Sequence, residues 1–204
     1  LPPRPGDVDA EGRRLVWSDE FNGDSLDTVR WKRCEPGKAD WCRYMSLRPD
    51  LVEVRDGLLL MKGVVNTATN TDRRAYLTGG VRSDADALLR LGKAEIRAKF
   101  EDQKGAWPAL WMCGKGRDSK GRGWPWNGEI DIVERLNSDP FVYHTLHTGW
   151  TYVFKKTKNP PHGGVKAPIR QGDWNVYGIE ITEEAVIWSV NGEEDEETGE
   201  MVAT

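Results

Sequence analysis

Apolar and polar residues alternate along this chain with a period of two far more often than with the 3.6-residue period of a helix, so strands dominate the reading. The clearest run spans residues 93–100, where Ala94, Ile96, Ala98 and Phe100 share one face and Lys93, Glu95, Arg97 and Lys99 the other. Residues 51–55 and 58–65 flank Asp56-Gly57, a strong two-residue hairpin signal. Further on, Tyr177, Ile179 and Ile181 alternate, followed after Glu183-Glu184 by Val186, Trp188 and Val190, which predicts a second hairpin. Asn191-Gly192 marks another turn. The best helical candidate, residues 85–91, is short. Neither an internal repeat nor a linker divides the chain, and evenly spaced short strands predict an all-β sandwich or barrel forming one domain over residues 1–204.

Composition narrows the function. At 38% apolar and 30% charged residues the chain is polar but clear of the disordered range. No apolar stretch is long enough to span a bilayer as a helix, and the start, Leu1-Pro2-Pro3-Arg4, lacks the layout of a signal peptide. Of the 33 acids, six (Glu193, Glu194, Asp195, Glu196, Glu197 and Glu200) crowd the C-terminal end, and the remaining 27 nearly balance 29 cations. One basic stretch, Lys155 to Arg170, is interrupted by residues 159–164 and reads as a solvated loop, so nucleic acid is not an expected partner. Ten tryptophans exceed what a core of this size needs and suit a ligand with flat faces. Among the three cysteines, Cys34 and Cys42 are spaced to close a small disulfide, as in an exported protein, or all three are buried thiols; zinc is disfavoured by the spacing.

The chemistry concentrates in Trp124-Pro125-Trp126-Asn127-Gly128-Glu129-Ile130-Asp131-Ile132-Val133-Glu134. β-Branched residues after an Asn-Gly turn read as a strand, on which Glu129 and Asp131 share a face opposite Ile130 and Ile132. Glu134 has the wrong parity for that face unless one residue is inserted, so a β-bulge is predicted near Ile132-Val133. Three converging carboxylates repel one another and raise at least one pKa. Glycoside hydrolysis uses such an arrangement, because a retaining mechanism needs one ionised and one protonated carboxyl group side by side.

These residues resemble the active-site strand of glycoside hydrolase family 16, in the form with two residues between the Asp and the second Glu. Trp17-Ser18-Asp19-Glu20-Phe21, residues 93–100, Gly105-Ala106-Trp107-Pro108-Ala109-Leu110-Trp111-Met112, Thr145-Leu146-His147-Thr148 and the 174–192 hairpin follow in the family's order. The resemblance implies a β-jelly-roll sandwich of two antiparallel sheets with a concave substrate cleft. It also implies Glu129 as nucleophile, Glu134 as general acid and base, and Asp131 as the residue that modulates the pair. Trp124 and Trp126, just before the catalytic strand, are expected to line the cleft, together with one or both of Trp107 and Trp111, which share a strand parity; His147 is expected to reach the sugar or Asp131. Trp17, Trp31, Trp174 and Trp188 are assigned to core packing. The mechanism requires no cofactor; a structural calcium is common in similar proteins, although no ligands for it stand out here.

Two departures bear on activity. The family continues beyond the equivalent of Asn191-Gly192 with strands that complete the sandwich, so those strands are expected to be missing here or to be supplied elsewhere. Arg135, directly after Glu134, stands where glucan-cleaving members more often carry an aromatic residue; its cation would hold Glu134 ionised unless it turns away to bind substrate. The expected activity is an endo-acting, laminarinase-like β-1,3-glucanase. Arg135 and Asn137 keep open an endo-β-galactosidase acting on galactan, keratan-type chains or mucin O-glycans, and a non-catalytic glycan-binding lectin is the reading from another class. The expected partner is a polysaccharide or glycan, met by an exported monomer.

Overall fold

In the computed structural model, residues 4–83, 89–154, 163–194 and 201–202 are described. The chain forms two compact units, residues 1–88 and 89–204. The helical candidate falls largely on residues 84–88, the core of the basic stretch on residues 155–162, and much of the acidic run on residues 195–200, all outside the described residues.

The first unit consists of three short antiparallel ribbons. β1 (Lys32–Arg33) pairs with β6 (Val81–Arg82), β2 (Val52–Arg55) with β3 (Leu58–Met61), and β4 (Gly63–Val65) with β5 (Tyr76–Thr78). Asp56 and Gly57, both at positive φ, make the tight β2–β3 turn that their sequence predicts. The apolar run 58–65, read as one strand, is two: at Lys62 the backbone N–H donates to Leu51 and the carbonyl accepts from Gly79, so the chain leaves one partner for another. Leu26, Val52 and Val54 are buried with Phe21, Trp31, Leu59 and Val81 packed around them. Trp31 donates from Nε1 to Asp19 at 2.7 Å and meets Trp17 edge to face, which gives both rings the packing role expected of them. Cys34 and Cys42 are buried thiols not joined by a disulfide, so the disulfide alternative is not realised and its argument for export falls away, while Cys113 is exposed rather than buried.

The second unit is a sandwich. One sheet runs β11 (Gly163–Pro168), β10 (Phe141–His147), β9 (Glu129–Glu134), β8 (Ala109–Cys113); the other runs β7 (Gly92–Ala98), β12 (Asn175–Ile181), β13 (Ala185–Val190), β14 (Glu193–Glu194). β14 and β15 (Met201–Val202) pair with opposite ends of β13. The alternation read in residues 93–100 is realised in β7, whose lysine, glutamate and arginine are exposed while its alanines and isoleucine are partly buried. Ile132, Val133, Val142 and Leu146 from the first sheet meet Tyr177, Ile179, Val186, Trp188 and Val190 from the second in one buried cluster. Trp188 lies within it, and Trp174 is covered by the Arg97 guanidinium at 4.0 Å.

One glycine governs entry to the acidic strand. Gly114 donates to the Gly128 carbonyl at 2.9 Å, and a Cβ built on Gly114 would lie 1.7 Å from the Asn127 carbonyl oxygen. The clash is with backbone and cannot be relieved by a rotamer change. Gly114→Ala is therefore expected to destabilise the protein by about 1–3 kcal/mol in urea unfolding, the usual range for overpacking.

Candidate active site

The register of β9 carries the site. Against β8, Ala109 faces Glu134, Leu110 faces Val133 and Trp111 faces Asp131, so Ile132 has no opposite residue. Against β10, Tyr143 faces Glu134 and Thr145 faces Asp131, leaving His144 alone opposite both Ile132 and Val133. This is the predicted bulge, at the predicted residues. Ile132 and Val133 both enter the core, at 2% and 0% exposure. Glu129, Asp131 and Glu134 consequently share the outer face of the sheet with Trp111 and Cys113 from β8 and with Thr145 and His147 from β10.

The bulge is buttressed from behind. Trp188 Nε1 donates to the Asp131 carbonyl at 3.0 Å, and His144 Nδ1 lies 2.5 Å from the Ile132 carbonyl, with its ring stacked on Trp188 at 5.9 Å. Both side chains are 1% exposed, so the irregular backbone is held by buried partners that water cannot replace.

On the outer face the acids are differently placed. Asp131 is buried and accepts from His147 Nε2 at 3.3 Å, while Glu129 lies 4.0 Å from the same nitrogen. Glu134 accepts from Trp107 Nε1 at 2.7 Å and also from Thr145; Glu129 accepts from Trp124. Burial, and after it the Asp131 charge, pushes both glutamates above the ordinary carboxylate range, opposed by His147 and by the indole donors. The Asp131 hydrogen bond raises the His147 pKa in return. Cys113, opposite Glu129, has its thiol pushed up by burial and by Glu129 and Asp131, which keeps it neutral. Glu129, Asp131 and His147 bring one ligand atom each within 4.8 Å of one another. Calcium takes six to eight oxygen ligands, so a set with an imidazole already engaged by Asp131 does not fit a structural calcium.

The tryptophans divide. Trp107, Trp111 and Trp124 are exposed beside the acids. Trp126 is a correction: the Arg122 guanidinium sits 3.4 Å from its ring centroid, Phe154 meets it edge-on and the Gly149 backbone packs against it, so the ring is occupied by its own loop and by the turn that follows β10. Arg135 is a second correction. Fully buried, it donates to the Asp139 and Phe100 carbonyls and pairs with Asp102 at 2.5 Å, so it does not face substrate. Asn137, at positive φ, accepts from Gly105 N and shapes the same turn. Tyr152 was not legible in the sequence: a five-residue π-helical turn, Gly149–Val153, brings its exposed ring edge-on to Trp124 at 4.7 Å and to His147 at 6.0 Å. Such a turn is too short to show periodicity.

Because the folded state holds the Glu134 pKa above its unfolded value, the proton is bound more tightly when folded, and stability is lost as pH rises from the ordinary carboxylate value through the raised one. Glu134→Gln removes that cost and keeps an acceptor for Trp107. It is expected to melt at a higher temperature than the parent at pH 7 in calorimetry, with the advantage shrinking as pH falls to about 4.

Comparison with known proteins places this geometry. Residues 96–174 match the family described as "XgeA-like, catalytic GH16 domain". The chain is 35% identical over 178 residues to the keratan-sulfate endo-1,4-beta-galactosidase of Sphingobacterium multivorum, covering 87% of this chain and 39% of that protein. It is 31% identical over 185 residues to the beta-glucanase of Rhodothermus marinus, covering 87% of this chain and 62% of that one. The solved laminarinase from Rhodothermus marinus superposes with a TM-score of 0.73 at 29% identity, over 88% of this chain and 72% of that chain. The chain thus spans less than two thirds of these two curated relatives. The fold class is all-β, a jelly-roll sandwich of antiparallel sheets.

Proposed function

We propose that the chain, which is similar to glycoside hydrolase family 16 over residues 96–174, is a retaining, endo-acting hydrolase of internal β-linkages in a polysaccharide, with Glu129 as nucleophile and Glu134 as acid and base. One observation carries this reading: the bulge at Ile132-Val133 turns Glu134 onto the face of Glu129 and Asp131, beside three exposed indoles. In the first step ionised Glu129 attacks the anomeric carbon while protonated Glu134 gives its proton to the departing glycosidic oxygen. In the second, Glu134 takes a proton from water, whose oxygen attacks the same carbon and releases Glu129.

The raised Glu134 pKa serves the first step, and the Trp107 hydrogen bond, which favours the ionised form, serves the second. Asp131, held by His147 from the front and at its carbonyl by Trp188 from behind, is the fixed charge against which both glutamates are set. Exposed Trp107, Trp111 and Trp124 supply flat faces for the C–H surfaces of pyranose rings.

The substrate we favour is a β-1,3-glucan. A β-galactoside is the second reading, favoured by the 35% identity to the keratan-sulfate endo-1,4-beta-galactosidase. Burial of Arg135 and the structural use of Asn137 remove those two residues from the choice. A polymeric substrate suits work outside the cell, by a single chain.

Incubation with laminarin, mixed-linkage glucan, agarose, keratan-type chains and mucin O-glycans, followed by mass spectrometry, is expected to release oligosaccharides from one class only. Glu134→Gln is expected to lower that rate by about 10²–10⁴-fold, and NMR of the first products should show the β-anomer. Failure of every polymer, or α-anomeric first products, would contradict the proposal. Trp107→Phe removes a donor that favours ionised Glu134, so the alkaline limb of the rate profile is expected to move to higher pH.

A further inference from the structure

His147 Nε2 lies between two carboxylates. It is 3.3 Å from an Asp131 oxygen and 4.0 Å from a Glu129 oxygen, and the ligand atoms of the three residues all lie within 4.8 Å of one another. The register sets up this meeting: Glu129 and His147 are direct partners across β9 and β10, and Asp131, two residues along from Glu129, shares its face. A tetrahedral zinc ion held at about 2.0–2.1 Å by nitrogen and oxygen keeps its ligand atoms about 3.3 Å apart. The Asp131–His147 pair already has that spacing, and Glu129 needs a small side-chain movement to match it. The side chains of Glu129 and His147 are 20% and 29% exposed, so an ion reaches the set from solvent, while Asp131, at 6%, forms its floor. The imidazole decides the kind of ion. Calcium and magnesium call for oxygen throughout, whereas one nitrogen and two carboxylate oxygens, with a fourth position left to water, is a zinc set. The two carboxylates repel each other, and a dication between them replaces that repulsion with attraction.

We infer that Glu129, Asp131 and His147 bind a zinc ion that switches off the hydrolase site. Zinc takes the place of the hydrogen that Nε2 gives to Asp131, and the neutral imidazole then carries its hydrogen on Nδ1. The Glu129 oxygen that ligates the ion no longer has a lone pair free to attack the anomeric carbon, and the ion fills the space that carbon needs. Metal and substrate therefore exclude each other. The switch rests on the glycan-hydrolase reading; the metal site does not, because binding is measured without substrate.

The test is calorimetric titration of the full chain with zinc chloride, in buffer without chelator or substrate. His147→Gln and Glu129→Gln are each expected to weaken binding by about tenfold or more, since even the outer partners of a metal ligand are worth that much. Zinc is expected to raise the melting temperature of the parent and not that of His147→Gln. Cys113 faces Glu129 from β8, so Cys113→Ser is the control for a thiol site and is expected to leave the affinity unchanged. Magnesium chloride is expected to bind about tenfold or more weakly than zinc. Affinity that survives both His147→Gln and Glu129→Gln, that is lost in Cys113→Ser, or that magnesium matches overturns the assignment. Hydrolysis is scored apart: zinc is expected to raise the apparent KM for the cleaved polymer, reversibly with EDTA. Zinc binding by a chain that cleaves no polymer upholds the metal site and contradicts the hydrolase reading. Cleavage at the parent rate with zinc bound upholds that reading and overturns the switch.

Discussion

The insertion of one residue into β9 is the constraint on which the site depends. An uninterrupted strand would send Glu134 to the core and leave two acids outside; the bulge sends Ile132 and Val133 inward together and returns Glu134 to the outer face. The apolar pair is therefore part of the catalytic arrangement, because its burial fixes the parity of the acid that follows. Trp188 and His144 complete the device by taking up the Asp131 and Ile132 carbonyls from within the sandwich. A core tryptophan on β13 and a core histidine on β10 thus hold the backbone of groups that work on the opposite face.

The outer face follows from that geometry by electrostatics. Bringing three carboxylates together opposes ionisation, and the site offsets this with one imidazole, two indole donors and the Thr145 hydroxyl. The compensation is graded. Asp131 has the direct His147 bond, while Glu129 and Glu134 receive weaker help and remain pushed upward. Arg135, the nearest cation in sequence, is kept out of this balance. The alternation that turns Glu134 outward turns Arg135 inward, where two carbonyls and Asp102 engage it.

Much of this was legible in the sequence because a period of two assigns faces without reference to partners. β7, the β12–β13 hairpin, the three acids and the bulge could all be read that way, since each depends on local alternation and on the demand that β-branched residues be buried. The break at Lys62 could not, because a change of pairing partner leaves no mark on periodicity. Trp126 and Tyr152 escaped for the same reason: loop contacts decide which ring is covered and which is presented, and Gly149 and Arg122 cover Trp126 from positions that no repeat connects to it. Burial of Arg135 follows from the bulge itself, because the residue after an outward Glu134 takes the inner face.

The most direct test of the central claim is a carboxyl ¹³C NMR titration of Glu129 and Glu134 in the parent and in Asp131→Asn. Convergence of the acids predicts that both glutamates titrate above the ordinary carboxylate range and that removing the Asp131 charge lowers both. Ordinary values in the parent, unmoved by Asp131→Asn, would mean that the bulge does not bring the three carboxylates onto one face.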